Sequence, residues 1–377
     1  METMQVPQGR FRLGRYPWVR RDPLRAWDAA DEYLLRHLDA EGLLAAGDRV
    51  LVVNDGFGAL AVALSAAHRV TAWSDSLLAH RGIGENLTRN GFEPRRVALC
   101  QSVADPAGPF TWILLKLPRS HALLEDQLHR LRPLLAAGAM LLAAGMARHV
   151  HRSTLALFER IIGPSPTSLA WRKARLILPR LDVGLHPGPS PWPKRVHLDE
   201  PGLTVVHHAA VFSRDRLDIG TRFFLHHLPR VDAGADVVDL GCGNGIVGLV
   251  AKRLNPSARL LFSDESFMAL ASAQANWRAH YGEAGARFVA DDCLGAQPTC
   301  SADLVLVNPP FHQQQAVTTA VARRMFRDAR RVLRPGGELR IIGNRHLGYH
   351  RDLRRLFGGS EIVASNPKFV ICRARKG

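Results

Sequence analysis

The chain is expected to be an α/β protein built from two tandem doubly wound, Rossmann-like domains, the N-terminal one degenerate. Three observations carry that expectation. Apolar β-type runs alternate with amphipathic helical stretches along the whole sequence, the pattern of α/β units on a mostly parallel sheet. The same order of elements then occurs twice with a period of about 190 residues, too long for a solenoid and suited to a duplicated domain. Between the copies, residues 183–196 (VGLHPGPSPWPKRV) are rich in Pro and Gly and read as a linker. On this basis the first domain covers residues 1–186, the linker 187–198 and the second domain 199–377, two units of ordinary domain size.

Taken in order, residues 50–65 (VLVVNDGFGALAVALS) lie over 237–252 (VVDLGCGNGIVGLVAK), each a strand, a glycine-bearing turn and a helix start. Residues 71–91 lie over 260–282, and 111–145 over 302–344. Near the ends, LALFERIIG and KARLILPRL echo LRRLFGGSE and KFVICRARK. The copies differ where chemistry would sit. Asp239 is set against Asn54, Gly245 against Leu60, and Asn308-Pro309-Pro310-Phe311 against Lys116-Leu117-Pro118-Arg119. One copy keeps a site that the other has lost.

Composition narrows the function classes. No run of about 18 uncharged apolar residues is present and the N-terminal stretch lacks an apolar secretory core, so a cytoplasmic protein is the expectation. Five cysteines (Cys100, Cys242, Cys293, Cys300, Cys372) without C-x-x-C spacing argue against a disulfide framework and against a structural zinc site. Net charge is +16, with 24 Lys and Arg against 17 Asp and Glu up to residue 190 and 26 against 17 after it. Both halves could attract a polyanion by neutralising phosphates. An arginine-rich composition inherited from a GC-rich genome is the plain alternative, since Arg far outnumbers Lys.

Residues 237–245 run from an apolar strand into Gly241-Cys242-Gly243-Asn244-Gly245 and then a helix, a turn whose glycines let a ligand approach the backbone and whose helix offers free N–H groups. Asp264 stands 23 residues beyond Gly241 at the end of the next strand, where a carboxylate can accept from ribose hydroxyls. Residues 243–248 also fit G-x-G-x-x-G, so a nicotinamide cofactor must be weighed. Asp239, two residues before the first glycine, would repel a diphosphate and attract an ammonium. The string DLGCGNG resembles the first motif of the class I methyltransferases. That resemblance implies S-adenosylmethionine on Asp239, Gly241, Cys242, Gly243, Asn244 and Gly245, with Asp264 as the ribose acid. It also implies an adenine contact after the third strand, at Asp292 with Asp291 as the competing choice.

Asn308-Pro309-Pro310-Phe311 follows the buried strand 304–307, about 65 residues beyond the glycine loop, at the strand end where a doubly wound sheet presents its site. An exocyclic amine is a poor nucleophile because its lone pair is delocalised. Asn308 Oδ1 and the Pro309 carbonyl can accept its two N–H groups and stabilise the charge that develops on nitrogen. Prolines fix φ and aim the carbonyls in advance, and Phe311 offers a stacking ring. Upstream, Val211-Phe212-Ser213 and residues 218–222 (DIGTR) also resemble segments that close over cofactor and substrate in this group, although Phe212 reads equally as core.

Tandem halves of this build resemble the bacterial ribosomal RNA guanine-N2 methyltransferases, and the likeness is closest to the large-subunit, 23S rRNA type. It extends over nearly the whole chain, through residues 23–35, 54–60, 169–176, 211–213, 308–314 and 344–347. The resemblance implies methyl transfer from S-adenosylmethionine to N2 of one guanine in 23S rRNA; a monomer with no metal is a separate expectation. The basic, non-catalytic first half would then grip RNA, with Arg20, Arg21, Lys116, Arg119, Arg172 and Lys173 as candidate phosphate contacts, while the second receives an unpaired or flipped base. The alternatives are the same chemistry on a 16S rRNA guanine or on a protein glutamine amide.

Overall fold

Strand sequences such as VLVV at 50–53 and LVLV at 304–307 are apolar at every position, so they must be covered on both faces. The computed structural model of the protein shows how. It describes residues 2–19, 22–211, 217–310 and 315–377, the last with side chains from residue 320 onward. The chain divides between Trp192 and Pro193 into two units.

Unit 1 opens with the hairpin β1 (Glu2–Val6) and β2 (Gly9–Leu13), followed by α1 (Ala29–Ala40). Then come β3 (Arg49–Val53), α2 (Ala59–Ser65), β4 (Arg69–Ser74), α3 (Leu77–Arg89), β5 (Val97–Gln101), β6 (Trp112–Lys116), α4 (His121–Ala136), β7 (Met140–Met146), α5 (Arg152–Ile161) and β8 (Ala174–Ile177). Its sheet has the order β5-β4-β3-β6-β7-β8, parallel except for β8.

Unit 2 repeats the plan. A hairpin of β9 (Lys194–Leu198) and β10 (Leu203–His207) precedes α6 (Ile219–Leu225), β11 (Asp236–Leu240), α7 (Ile246–Leu254), β12 (Arg259–Asp264), α8 (Phe267–Tyr281) and β13 (Ala286–Ala290). β14 (Ala302–Val307), α9 (Gln315–Val332), β15 (Leu333–Asn344), α10 (Tyr349–Phe357), β16 (Glu361–Ser365) and β17 (Phe369–Arg375) complete it. The sheet order is β13-β12-β11-β14-β15-β17-β16, with β17 antiparallel to both neighbours. The order reverses between β11 and β14, and the carboxyl ends of those strands form the crevice where such sheets hold ligands. The expected α/β fold of two doubly wound domains is what the chain adopts.

Each sheet is buried on both sides. In unit 2, Phe262, Trp277 and Leu306 pack on one face, and Val305, Phe326 and Ile341 on the other. Two expectations need correction. Residues 194–198, counted in the linker, form β9, because the alternating Lys-Arg-Val-His-Leu sequence pairs with 203–207 and buries Leu198 and Val205. The alignment of 50–65 over 237–252 holds, but two residue pairings set against it do not. Strand ends and helix starts put Val52, not Asn54, opposite Asp239, and Gly58, not Leu60, opposite Gly245. Asn54 stands opposite Gly241, and both have positive φ, +62° and +71°.

Candidate active site

The glycine loop joins β11 to α7, and its conformation explains its residues. Gly241, Gly243 and Gly245 all have positive φ, at 71°, 54° and 81°. A Cβ on Gly245 would stand 2.9 Å from that of Ala273, whereas at Gly243 nothing lies within 4 Å. The loop is therefore packed on its inner side and open on its outer one, a backbone cradle that a ligand can approach. Cys242 is buried in the core and Asn244 Oδ1 accepts from Ile246 N, so these two contribute backbone and local shape to the loop.

Two carboxyls flank the cradle. Asp239 is 3% exposed, and its Oδ2 accepts from Gly248 N at 2.8 Å. A Cβ on Gly248 would collide with the Phe262 ring, so this glycine is what lets α7 close down on the strands. Burial, opposed by the Gly248 N–H and reinforced by neighbouring Asp264, pushes the Asp239 carboxyl up to about 8. Asp264, at the end of β12, accepts from Gly243 N and from Ser266 N, each at 3.0 Å, and burial raises it as well. It ties the loop to the start of α8 and retains lone pairs for further donors. An open glycine cradle with two buried carboxyls, one of them charge-poor in isolation, fits the ammonium and ribose of S-adenosylmethionine.

Past β13, Asp292 is 8% exposed and pairs with Arg324 of α9, while Asp291 accepts from Asp292 N at 2.8 Å and from Ala296 N at 2.9 Å. Both carboxylates thus shape the turn at the third strand's end. Cys293 in the same turn has a thiol pushed up to about 11 by burial, even with Arg324 beside it.

At the end of β14, Asn308 Nδ2 donates to Thr221 Oγ1 at 2.9 Å, and its Oδ1 is buried with no partner among the described residues. A buried amide oxygen left unpaired costs about 1–3 kcal/mol, which makes it a ready acceptor for an incoming donor. Pro309 is buried and Pro310 exposed. Asn344 Oδ1, at the carboxyl end of neighbouring β15, is likewise buried without a partner. Phe311, Phe212 and Ser213 lie outside the described residues, as do Arg20 and Arg21.

Sequence reasoning missed Asn276. Its Nδ2 donates to Asn244 O at 2.9 Å and to Val206 O at 3.0 Å, while its Oδ1 accepts from Val206 N, clamping the glycine loop between α8 and β10. The signal was in the repeat: Asn86 of unit 1 makes the same three bonds, to Phe57 O and to both backbone groups of Gly14.

Unit 1 shows how such a site closes. Val52 replaces Asp239, and Ser74 ends β4 where Asp264 ends β12. Asp55, opposite Cys242, turns its carboxylate onto the α2 N-terminus and accepts from the N–H groups of Gly58, Ala59, Leu60 and Ala61 at 2.8–3.0 Å. Ala61 stands opposite Gly248, so the amide served by Asp239 in unit 2 is served from the loop side in unit 1. Lys116, opposite Asn308, is no free phosphate contact: it is half-buried and paired with Asp28 at 2.7 Å and Asp31 at 2.8 Å. Burial works against its ammonium, but Asp31 and then Asp28 outweigh that and hold it above the ordinary lysine value. Arg172 pairs with Glu32 at 3.2 Å and lies over the Trp171 ring.

Comparison with known proteins agrees with this geometry. Residues 1–183 match the family model described as RLMG N-terminal domain, and residues 202–373 the Methyltransferase small domain. A Streptomyces avermitilis protein named ribosomal RNA large subunit methyltransferase G is 53% identical over 380 residues, covering 100% of this chain and 99% of its own. A protein of the same name from Pseudomonas paraeruginosa is 50% identical, with 100% of both chains covered. The structure of the T. thermophilus 16S rRNA N2 methyltransferase RsmC, solved with AdoMet and guanosine, superposes with a TM-score of 0.77 at 22% identity, covering 100% of this chain and 98% of that one. That last likeness is one of fold. The chain belongs to the family of ribosomal RNA large subunit methyltransferase G, enzymes of the class I methyltransferase fold that use S-adenosylmethionine.

Proposed function

We propose that unit 2 carries a methyl group from S-adenosylmethionine to N2 of one guanine in 23S ribosomal RNA, giving N2-methylguanosine. The unpaired, buried Oδ1 of Asn308 beside the glycine cradle is the observation that carries this reading. The bound cofactor supplies an electrophilic sulfonium methyl. Asn308 Oδ1 and the Pro309 carbonyl accept the two hydrogens of the guanine amine, hold its nitrogen toward the methyl and stabilise the positive charge that grows there. The methylated nitrogen is acidic enough to give its proton to water, so no side chain has to act as base. Asp239 receives the ammonium of the methionine moiety, Asp264 the ribose, and the loop after β13, with Asp292, borders the adenine. Phe311 stacks on the base. Unit 1, with 24 basic against 17 acidic residues up to residue 190, grips the RNA by its phosphates, and the enzyme works as a cytoplasmic monomer.

The test is transfer of labelled methyl to ribosomal RNA from a strain lacking the protein, followed by nuclease digestion and nucleoside mass analysis. N2-methylguanosine in the large-subunit RNA is expected. Label in small-subunit RNA or in a protein fraction would overturn the substrate.

A pH dependence follows from Asp239. Its folded pKa, about 8, lies above the ordinary 3.8, so at pH 7 the free protein holds a proton there. An arriving ammonium favours the carboxylate and expels that proton. Calorimetric titration with S-adenosylmethionine at pH 7, in buffers of different ionisation heat, should show release approaching one proton, abolished in Asp239→Asn. The sign for stability is the reverse of the usual carboxylate case. The free protein loses stability as pH rises from about 4 to about 8, the interval between the two values. Cofactor removes that loss.

A further inference from the structure

We infer that Thr221 sets which end of the Asn308 amide faces the substrate, a positioning role that rests on the function proposed above. Asp218 caps α6, and its Oδ2 accepts from Thr221 N at 2.9 Å and from Thr221 Oγ1 at 3.3 Å. A hydroxyl has one proton and two lone pairs. With the proton committed to Asp218, Thr221 can only accept from Asn308, and it does so from Nδ2 at 2.9 Å. Rotating the amide by half a turn would press Oδ1 against the hydroxyl lone pairs and aim Nδ2, a donor, at the donors of the incoming amine. The two ends of an amide are nearly alike in shape, so without this bond little separates the productive orientation from the blocked one.

The geometry is held from behind. Thr221 is 8% exposed, and a Cβ on Gly220 would stand 3.0 Å from both Asp218 Oδ2 and the Phe369 ring, so the first turn of α6 is seated directly on the start of β17. The repeat supplies an independent instance of the same strut. In unit 1, Asp28 caps α1, Asp31 takes the place of Thr221, and together they hold Lys116 at the end of β6. Cap, third helical residue and strand end meet in both units. Charges close the contact in unit 1, whereas in unit 2 a neutral hydroxyl–amide pair leaves one acceptor free.

The test uses full-length Thr221→Val and Thr221→Ser, with kcat, the KM for RNA, the Kd for S-adenosylmethionine and the melting temperature measured for each. Valine keeps the shape and the backbone N–H to Asp218 but removes the hydroxyl. It should lower kcat about tenfold, the scale of one lost hydrogen bond, with cofactor Kd within about twofold. Serine should restore kcat to within about threefold of the parent, and valine should cause no further loss in an Asn308→Ala background. An unchanged kcat in Thr221→Val beside an inactive Asn308→Ala would overturn the inference while leaving the proposed function intact. Equal losses of kcat, cofactor affinity and melting temperature without rescue by serine would also overturn it, reducing Thr221 to support of the fold. Full activity in Asn308→Ala would instead sink the proposed function itself.

Discussion

Replacing Asn308 with alanine should lower kcat for methyl transfer about 10²–10³-fold, the loss found when one preorganised acceptor or donor of developing charge is removed. The reason lies in what the protein tolerates in its absence of substrate. In the proposed function, Asn308 Oδ1, buried and without a partner among the described residues, meets its donor when the amine arrives, and the bond strengthens as that nitrogen becomes positive. Removing it costs the reacting state more than the bound one. The effect should therefore fall on kcat, with the Kd for S-adenosylmethionine within about twofold, because among the described residues no hydrogen bond joins the glycine loop or Asp264 to the Asn308 side chain. Single-turnover transfer to RNA lacking the modification, with calorimetric cofactor binding alongside, separates the two. A variant that kept its rate and lost cofactor affinity would move Asn308 out of the chemistry.

The second large effect concerns stability. Lys116→Met removes an ammonium and nearly preserves volume, leaving Asp31 buried beside Asp28 and Asp55. Breaking a buried ion pair by deleting one partner costs about 3–5 kcal/mol. Asp31 sits in a site where burial, only partly offset by Lys116, already pushes its carboxyl up to about 7. It can take up a proton once the lysine is gone. The loss should consequently lie near 3 kcal/mol at pH 8, or about 6–12 °C in melting temperature for a domain of this size, and shrink at pH 6. Thermal melts of the full chain at both pH values check the magnitude and the direction together. A melt unmoved at pH 8 would show that the cluster is not a strut.

Much of this was legible in the sequence, for reasons that differ by residue. Strands buried on both faces announce themselves by unbroken apolar runs, and glycines in a strand-to-helix turn announce a backbone that must go where other residues cannot. Asp264 and Asn308 could be placed because they stand immediately after such strands. What the sequence hid was backbone conformation within the copies. The alignment of 50–65 with 237–252 already puts Asn54 over Gly241, and setting it against Asp239 overlooked its positive φ, a backbone property that Asn shares with glycine and that no polarity pattern reveals. Lys116 looked like a phosphate contact because its partners, Asp28 and Asp31, are more than 80 residues away in the chain. Asn276 was hidden for the same reason, as was the bond of Thr221, within the segment 218–222, to Asn308. Each acts through a bond to a residue far along the sequence, and only folding brings the pair together.

The Asp55 carboxylate deserves to be seen as a tethered ligand. Four amide groups of unit 1, left without partners by the start of a helix, hold a carboxyl supplied by the chain itself. A free anion must compete with a group whose effective concentration is set by covalent attachment, and it loses at any ordinary concentration. The occupied state also stabilises the folded unit continuously, as a saturating ligand would. Reversing the change therefore requires two steps taken together, removal of the internal anion and return of the acid at position 52, since the first alone leaves a helix end without its partner.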